Sequence, residues 1–175
     1  MKKLTALALG IALFSQLCGF TLGAGIAGYD VAREGRSFSL LADASLPIIP
    51  TIFWRAGIFN LNFRPEPQGM NVRLSTGLAS DLLVFVPVDK PITPYLVAGL
   101  NFNFYSYDNA GADVSGTDFG FKLGLGGQTD IGPVFGYLEL GTDFLLSQSG
   151  GGSHTEFPIF VQLGIRKPLK FKIKR

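Results

Sequence analysis

The chain has 175 residues, 47% of them hydrophobic and only 16% charged, with a net charge of +2 and a mean hydropathy of +0.32. The length predicts one domain, and the charge content falls below the roughly 25–35% of an ordinary water-facing surface. Sixteen Phe exclude a disordered chain, single scattered charges of both signs argue against a nucleic-acid partner, and one Cys (Cys18) with one His leaves no disulfide framework and no basis for a metal or other cofactor.

Lys2 and Lys3 precede an apolar run over residues 4–17, shorter than the roughly 20 residues of a spanning helix and followed by the small residues Cys18 and Gly19. This predicts an export signal over residues 1–19. A lipoprotein signal at Cys18 is disfavoured by the bulky Leu17 before it.

From Phe20 onward the apolar residues recur with a period of two, the signature of half-buried strands. Phe38, Leu40, Ala42, Ala44 and Leu46 alternate with Ser37, Ser39, Leu41, Asp43 and Ser45. Val72, Leu74, Leu78 and Leu82 alternate with Asn71, Arg73, Gly77 and Asp81. The same pattern runs through Leu96, Ala98, Leu100, Phe102 and Phe104, through Phe119, Phe121, Leu123 and Leu125, and through Phe157, Ile159, Val161, Leu163 and Ile165. No charge falls on any of these five apolar faces. Three other runs are less regular. Residues 20–31 are Gly-rich, residues 133–145 put Phe135 on the face of Glu139 and Asp143, and residues 51–62 change phase near Phe59, where a bulge would restore the alternation.

Between strands, the short proline-bearing links Pro47-Ile48-Ile49-Pro50, Pro87-Val88-Asp89-Lys90-Pro91 and Asp130-Ile131-Gly132-Pro133 alternate with longer polar ones over residues 64–70, 106–117 and 147–155. Eight strands so spaced suit antiparallel neighbours, and an eight-stranded meander closes into an up-and-down barrel without free edges. The prediction is an all-β, eight-stranded antiparallel barrel over residues 20–167, followed by a basic tail over 168–175.

The orientation of the two faces decides the environment. Gly99, Gly120, Gly124, Gly126 and Gly164 would leave room in a narrow lumen, and the single charges Arg73, Asp81, Lys122, Glu139, Asp143, Glu156 and Arg166 would form a polar network across it. The uncharged faces would then meet lipid, which makes this a transmembrane barrel. The opposite orientation would give a secreted lipocalin-like carrier of a small apolar ligand. Trp54, Tyr95, Tyr105, Tyr107 and Tyr137 fall where an aromatic girdle would lie, although Tyr95 and Tyr105 could equally point inward.

The run Pro94-Tyr95-Leu96-Val97-Ala98-Gly99-Leu100, the Gly-rich strand over residues 119–127, Gly132-Pro133 and Tyr137-Leu138-Glu139-Leu140 resemble the second half of small bacterial outer-membrane β-barrel proteins of the OmpA/OmpX type. The resemblance implies a plugged lumen, both termini in the periplasm, lipid of the outer membrane as the surroundings, and insertion by the outer-membrane assembly machinery. It names no oligomeric state. This chain departs from the usual terminal aromatic, ending instead on Lys167-Pro168-Leu169-Lys170-Phe171-Lys172-Ile173-Lys174-Arg175, where Phe171 would stand in.

Two functions suggested by such barrels fit poorly. Eight strands enclose space only for side chains, whereas an aqueous channel takes around 16. Some small barrels are lipid A-modifying hydrolases, and Ser153-His154-Thr155-Glu156 has the residue types, but adjacent side chains of an extended segment diverge. The expected role is therefore structural or adhesive and not enzymatic, acting through the longer links.

Overall fold

The structure is a computed structural model that describes residues 20–31, 35–66, 69–75, 78–109, 112–149 and 152–169. The expected signal segment and all of the basic tail beyond Leu169 lie outside these residues. Ten strands form one sheet: β1 (Phe20–Val31), β2 (Gly35–Ile49), β3 (Ile52–Glu66), β4 (Gly69–Ser75), β5 (Leu78–Phe85), β6 (Ile92–Asn109), β7 (Ala112–Asp130), β8 (Phe135–Ser149), β9 (Gly152–Glu156) and β10 (Ile159–Leu169). β4 and β5 lie in line along β3, and β9 and β10 lie in line along β8, so the ten segments make eight staves. Between β9 and β10 sits Pro158, which has no N–H to donate; its carbonyl still accepts from the amide of Asp143 at 3.0 Å.

Every neighbouring pair is antiparallel, and β1 pairs with β10 from Phe20↔Leu169 to Asp30↔Ile159, which closes the sheet. The stagger can be followed around the outside. Ile52 on β3 faces Val84, then Leu96, Leu125, Leu140, Val161, Gly28, Phe38 and finally Phe63, back on β3. Phe63 is eleven residues past Ile52, or ten when one bulge residue is set aside. Ten residues of stagger over eight strands, at about 3.3 Å per residue and 4.8 Å between strands, tilt the staves by about 40° from the axis.

The bulge is Ile58. Ala42 pairs with Phe59 and Asp43 with Gly57, leaving Ile58 unopposed, and the consecutive Ile58 and Phe59 both face outward. The phase change near Phe59 in the sequence has this origin.

Apolar residues point out and charges point in. Leu123 and Leu125 are 62% and 63% exposed, while Lys122 between Phe121 and Leu123 is 7% exposed. Leu96, Leu138, Leu140, Val161, Leu163 and Ile165 continue this exposed belt. That arrangement is the reverse of a lipocalin-like carrier, whose apolar face would be enclosed. In water it would leave a contiguous apolar surface around the whole molecule; in hydrocarbon it incurs no such penalty, and the closed ladder leaves no unpaired edge.

Two expectations need correction. The links over residues 64–70, 106–117 and 147–155 are largely strand: β6 continues to Asn109 and β7 starts at Ala112, with Tyr105↔Gly116 and Tyr107↔Val114 paired. Cross-strand hydrogen bonding overrides the Gly, Asn and Asp content there, as tertiary context commonly does with strand propensity. The girdle also differs. Tyr137 is buried inside and not at a rim, and Tyr95 takes the inward of its two expected positions, because each phenol finds a polar partner there, Glu139 for Tyr95 and Gln162 for Tyr137. The described outer aromatics are chiefly Phe: Phe38 stacks on Phe63 at 4.8 Å, and Phe102, Phe119, Phe121, Phe144 and Phe157 form a chain of ring contacts. Trp54 does face outward, its indole N–H donating to Ser80 Oγ at 2.9 Å. The side chains of Tyr105 and Tyr107 lie outside the described residues.

The short links are tight. In Asp130-Ile131-Gly132-Pro133, Gly132 has a φ of +91° and its N–H donates to Asp130 Oδ1 at 2.8 Å, a conformation that disfavours any residue with a Cβ.

Replacing Leu123 with Arg places a charge in the middle of the outer belt and is expected to destabilise the barrel by about 2–4 kcal/mol. Urea unfolding in lipid bilayers, read as loss of the compact band on unboiled gels, measures this.

Candidate functional site: the polar lumen

The inward face places charged residues opposite one another across neighbouring strands. Arg55 on β3 faces Asp81 on β5, Asp81 faces Gly99, Gly99 faces Lys122, and Lys122 faces Asp143. Opposite charges so placed on one sheet face are mutually stabilising. Inside a barrel, residues on distant staves also meet.

The centre of the cluster is Glu139, fully buried on β8. Its Oε1 accepts from Arg55 Nη1 at 2.6 Å, from Arg166 Nη2 at 2.7 Å and from Tyr95 Oη at 2.8 Å; Oε2 accepts from Arg55 Nη2 at 3.0 Å. Arg55 also donates from Nε and Nη2 to Asp81 Oδ2, at 2.9 and 2.6 Å. One carboxylate is thus shared by two guanidinium groups, Arg55 from a stave across the lumen and Arg166 from the neighbouring β10. Arg166 lies over the Tyr137 ring at 3.9 Å and its Nε stands 3.9 Å from Asp43 Oδ1. Toward the loop end, Asn101 donates to Asp143 Oδ1 at 3.2 Å and Lys122 Nζ lies 5.1 Å from the centre of the buried Phe160 ring.

Glycines make this packing possible. Gly126 stands opposite Tyr95 and Gly99 opposite Asp81, and a Cβ at either position would overlap that partner's side chain. At Gly124 and Gly141 a Cβ would meet first the backbone carbonyls of Leu140 and Leu123 and then the Phe160 ring.

Of the residues expected in the lumen, Asp81, Lys122, Glu139, Asp143 and Arg166 are all buried on the inner face. Glu156 ends β9, opposite Leu145 and nearer the loop end, and is partly exposed. Arg73 pairs by backbone register with Asn62, but its side chain lies outside the described residues, as do those of Ser153 and His154. Sequence reasoning missed Arg55, which supplies four of the hydrogen bonds in the cluster. It precedes the Ile58 bulge, so a parity taken from the second half of β3 assigns it to the wrong face. Asp43 and Gln162 were on the correct face but were not marked as members. Among the described residues no group of His, Cys, Asp and Glu is arranged to hold a metal ion.

No protein-family model matches the chain, and no curated protein matches it. Solved structures do. Neisserial surface protein A is similar over 87% of this chain and 97% of its own, with 18% identity and a TM-score of 0.67. A major outer membrane protein from Thermus thermophilus is similar over 87% of this chain and 99% of its own, with 17% identity and a TM-score of 0.57. The fold is therefore that of small outer-membrane barrels, and the chain is a transmembrane β-barrel of eight staves.

Replacing Glu139 with Gln leaves two buried guanidinium groups short of a carboxylate and is expected to destabilise the barrel by about 3–5 kcal/mol. By contrast Asp30→Asn, which breaks an exposed 3.7 Å pair with Arg36, is expected to change stability by no more than about 0.5 kcal/mol. Urea midpoints of the two variants in the same bilayer check both.

Proposed function

We propose that this chain is a bacterial outer-membrane protein that crosses the bilayer as a side-chain-filled, non-conducting barrel and acts through the paired strand ends at its loop side. The observation that carries the reading is the shared Glu139 carboxylate. Arg55, Arg166 and Tyr95 converge on it from three other staves, and all four residues are almost wholly buried. Such a cross-linked core supports a plugged lumen, and eight strands leave little width for water in any case. The outward apolar belt supports residence among lipid acyl chains, with delivery by an export signal over residues 1–19 and insertion by the outer-membrane assembly machinery.

The hairpins β3–β4, β6–β7 and β8–β9 continue as paired strands beyond the belt, which supports a role in contact with surfaces or partners outside the cell. No catalytic role is proposed for any residue.

Reconstitution in planar bilayers tests the non-conducting part: the expected record has no open steps of the size a 16-stranded porin produces, and sustained steps of that size would refute it. For the contact role, cells expressing the chain should bind immobilised extracellular matrix or neighbouring cells better than cells in which residues 106–117 are replaced by a two-residue turn. Equal binding by both would remove the adhesive reading.

A further inference from the structure

The barrel mouth at the β2–β3 and β5–β6 turns contains a cavity of about 650 Å³, to which every stave contributes wall. Phe53, Leu83, Phe85 and Phe135 make that wall chiefly apolar. Phe85 lies between Phe53 and Tyr95, with ring centres 5.2 and 4.7 Å away, so the wall is held in place by packing. An apolar hollow that opens away from the acyl chains is a surface that gains by being covered.

The charge around the hollow limits what can cover it. Among the described residues the lumen buries four carboxylates, Asp43, Asp81, Glu139 and Asp143, against three cations, Arg55, Lys122 and Arg166. Arg166 is the one described cation in the cavity wall, and it is already engaged by Glu139 at 2.7 Å and faces Asp43 Oδ1 at 3.9 Å. That Asp43 oxygen has no hydrogen-bond partner. At the rim Asp89 lines the cavity, whereas its neighbour Lys90 does not. The mouth therefore attracts a cation and repels an anion.

The end of β10 supplies a segment of matching character. Among the described residues its pairing with β8 stops at Arg166↔Phe135 and its pairing with β1 stops at Phe20↔Leu169, next to Thr21 in the cavity wall. The sequence then continues as Lys170-Phe171-Lys172-Ile173-Lys174-Arg175. In an extended segment Phe171 and Ile173 project to one side and Lys170, Lys172 and Lys174 to the other, an apolar face backed by a cationic one. Eight staves about 4.8 Å apart and tilted by about 40° make a backbone ring about 16 Å across, and six residues at about 3.3 Å each reach about 20 Å. β5 and β6, whose connecting turn carries Asp89, lie across this ring from β10.

We propose that residues 170–175 turn back across this mouth and cover the vestibule, with Phe171 and Ile173 against the apolar wall and the lysines and Arg175 toward the rim and Asp89. Tethering at Leu169 keeps the segment at a local concentration in the millimolar range, so contacts too weak to hold a free peptide hold this one. The cover closes the turn end of the barrel and is independent of the contact role proposed above, which uses the opposite end.

The test uses the full chain carrying Cys18→Ser, refolded in phosphatidylcholine nanodiscs, and follows disulfide formation under mild oxidation by mass spectrometry. Ile173→Cys is combined either with Thr93→Cys, in the cavity wall, or with Ile92→Cys, adjacent in sequence but on the outer face. Each rate is divided by the reactivity of the barrel cysteine toward glutathione disulfide, which removes differences in thiol exposure. The cysteine pair at Ile173 and Thr93 is expected to close about tenfold faster than the pair at Ile173 and Ile92. Adding Phe171→Ser, which leaves every barrel residue in place, is expected to slow closure at Thr93 by about fivefold or more. Asp89→Asn or high salt is expected to slow it by about twofold. The heat-modifiable band on unboiled gels confirms that each variant is folded. Equal rates for the two pairs, or closure at Thr93 that Phe171→Ser leaves unchanged, would overturn the proposal. Preference for Ile92 that grows when phosphatidylglycerol is added would also overturn it and assign the segment to anionic headgroups.

Discussion

Within hydrocarbon no water is present to satisfy a backbone N–H or C=O, and each one left bare costs several kcal/mol. The pairing of β1 with β10 meets that constraint, because it removes the last free edge of the sheet. Much else follows from it. Closure fixes the stagger, the stagger fixes the tilt, and eight tilted strands define a lumen of a width that side chains must fill. The period of two then sorts the residues: whatever points outward must tolerate acyl chains, and whatever points inward must fit its opposite neighbour.

Inside, size and charge are matched strand by strand. Large or charged side chains stand beside glycine, as Tyr95 does beside Gly126 and Asp81 beside Gly99. The charges that share this space are compensated across the axis as well as between neighbours. Glu139 joins β8 to its ladder neighbour β10 through Arg166 and, through Arg55 and Tyr95, to β3 and β6, with which β8 has no backbone pairing. A cluster of this kind is often no more favourable than a well-packed apolar filling, and it becomes strongly unfavourable once one partner is removed. Its presence therefore ties folding to correct assembly of β3, β5, β6, β8 and β10 around one carboxylate.

Much of this was legible in the sequence because the alternation is clean over Leu96 to Phe104, Phe119 to Leu125 and Phe157 to Ile165, where apolar residues point outward and Gly or polar residues inward, a rule that assigns Lys122 and Arg166 to the lumen. Glu139 and Asp143 follow the same rule in a less regular run, where Phe135 shares their face. The rule failed where the backbone departs from a plain ladder. Ile58 inserts one residue into β3, so Arg55 and Asn62 have opposite parity yet face the same interior. Composition misled in the hairpins as well, where Gly, Ser, Asn and Asp suggested loops while pairing carried the strands to within two residues of each tip. Tyr95 and Tyr137 show a third limit. A tyrosine near a strand end satisfies its phenol equally well at a lipid interface or against a buried carboxylate, and only the three-dimensional position of Glu139 decides between them.

The sense of the two faces underlies the whole architecture, and collisional accessibility of nitroxide labels in lipid bilayers tests it most directly. Labels at Leu125 and Leu140 should be relaxed strongly by oxygen, which concentrates in acyl chains, and hardly at all by a water-soluble nickel complex. Strong relaxation by the nickel complex at both positions, with a weak response to oxygen, would contradict the lipid-facing assignment and the barrel orientation built upon it.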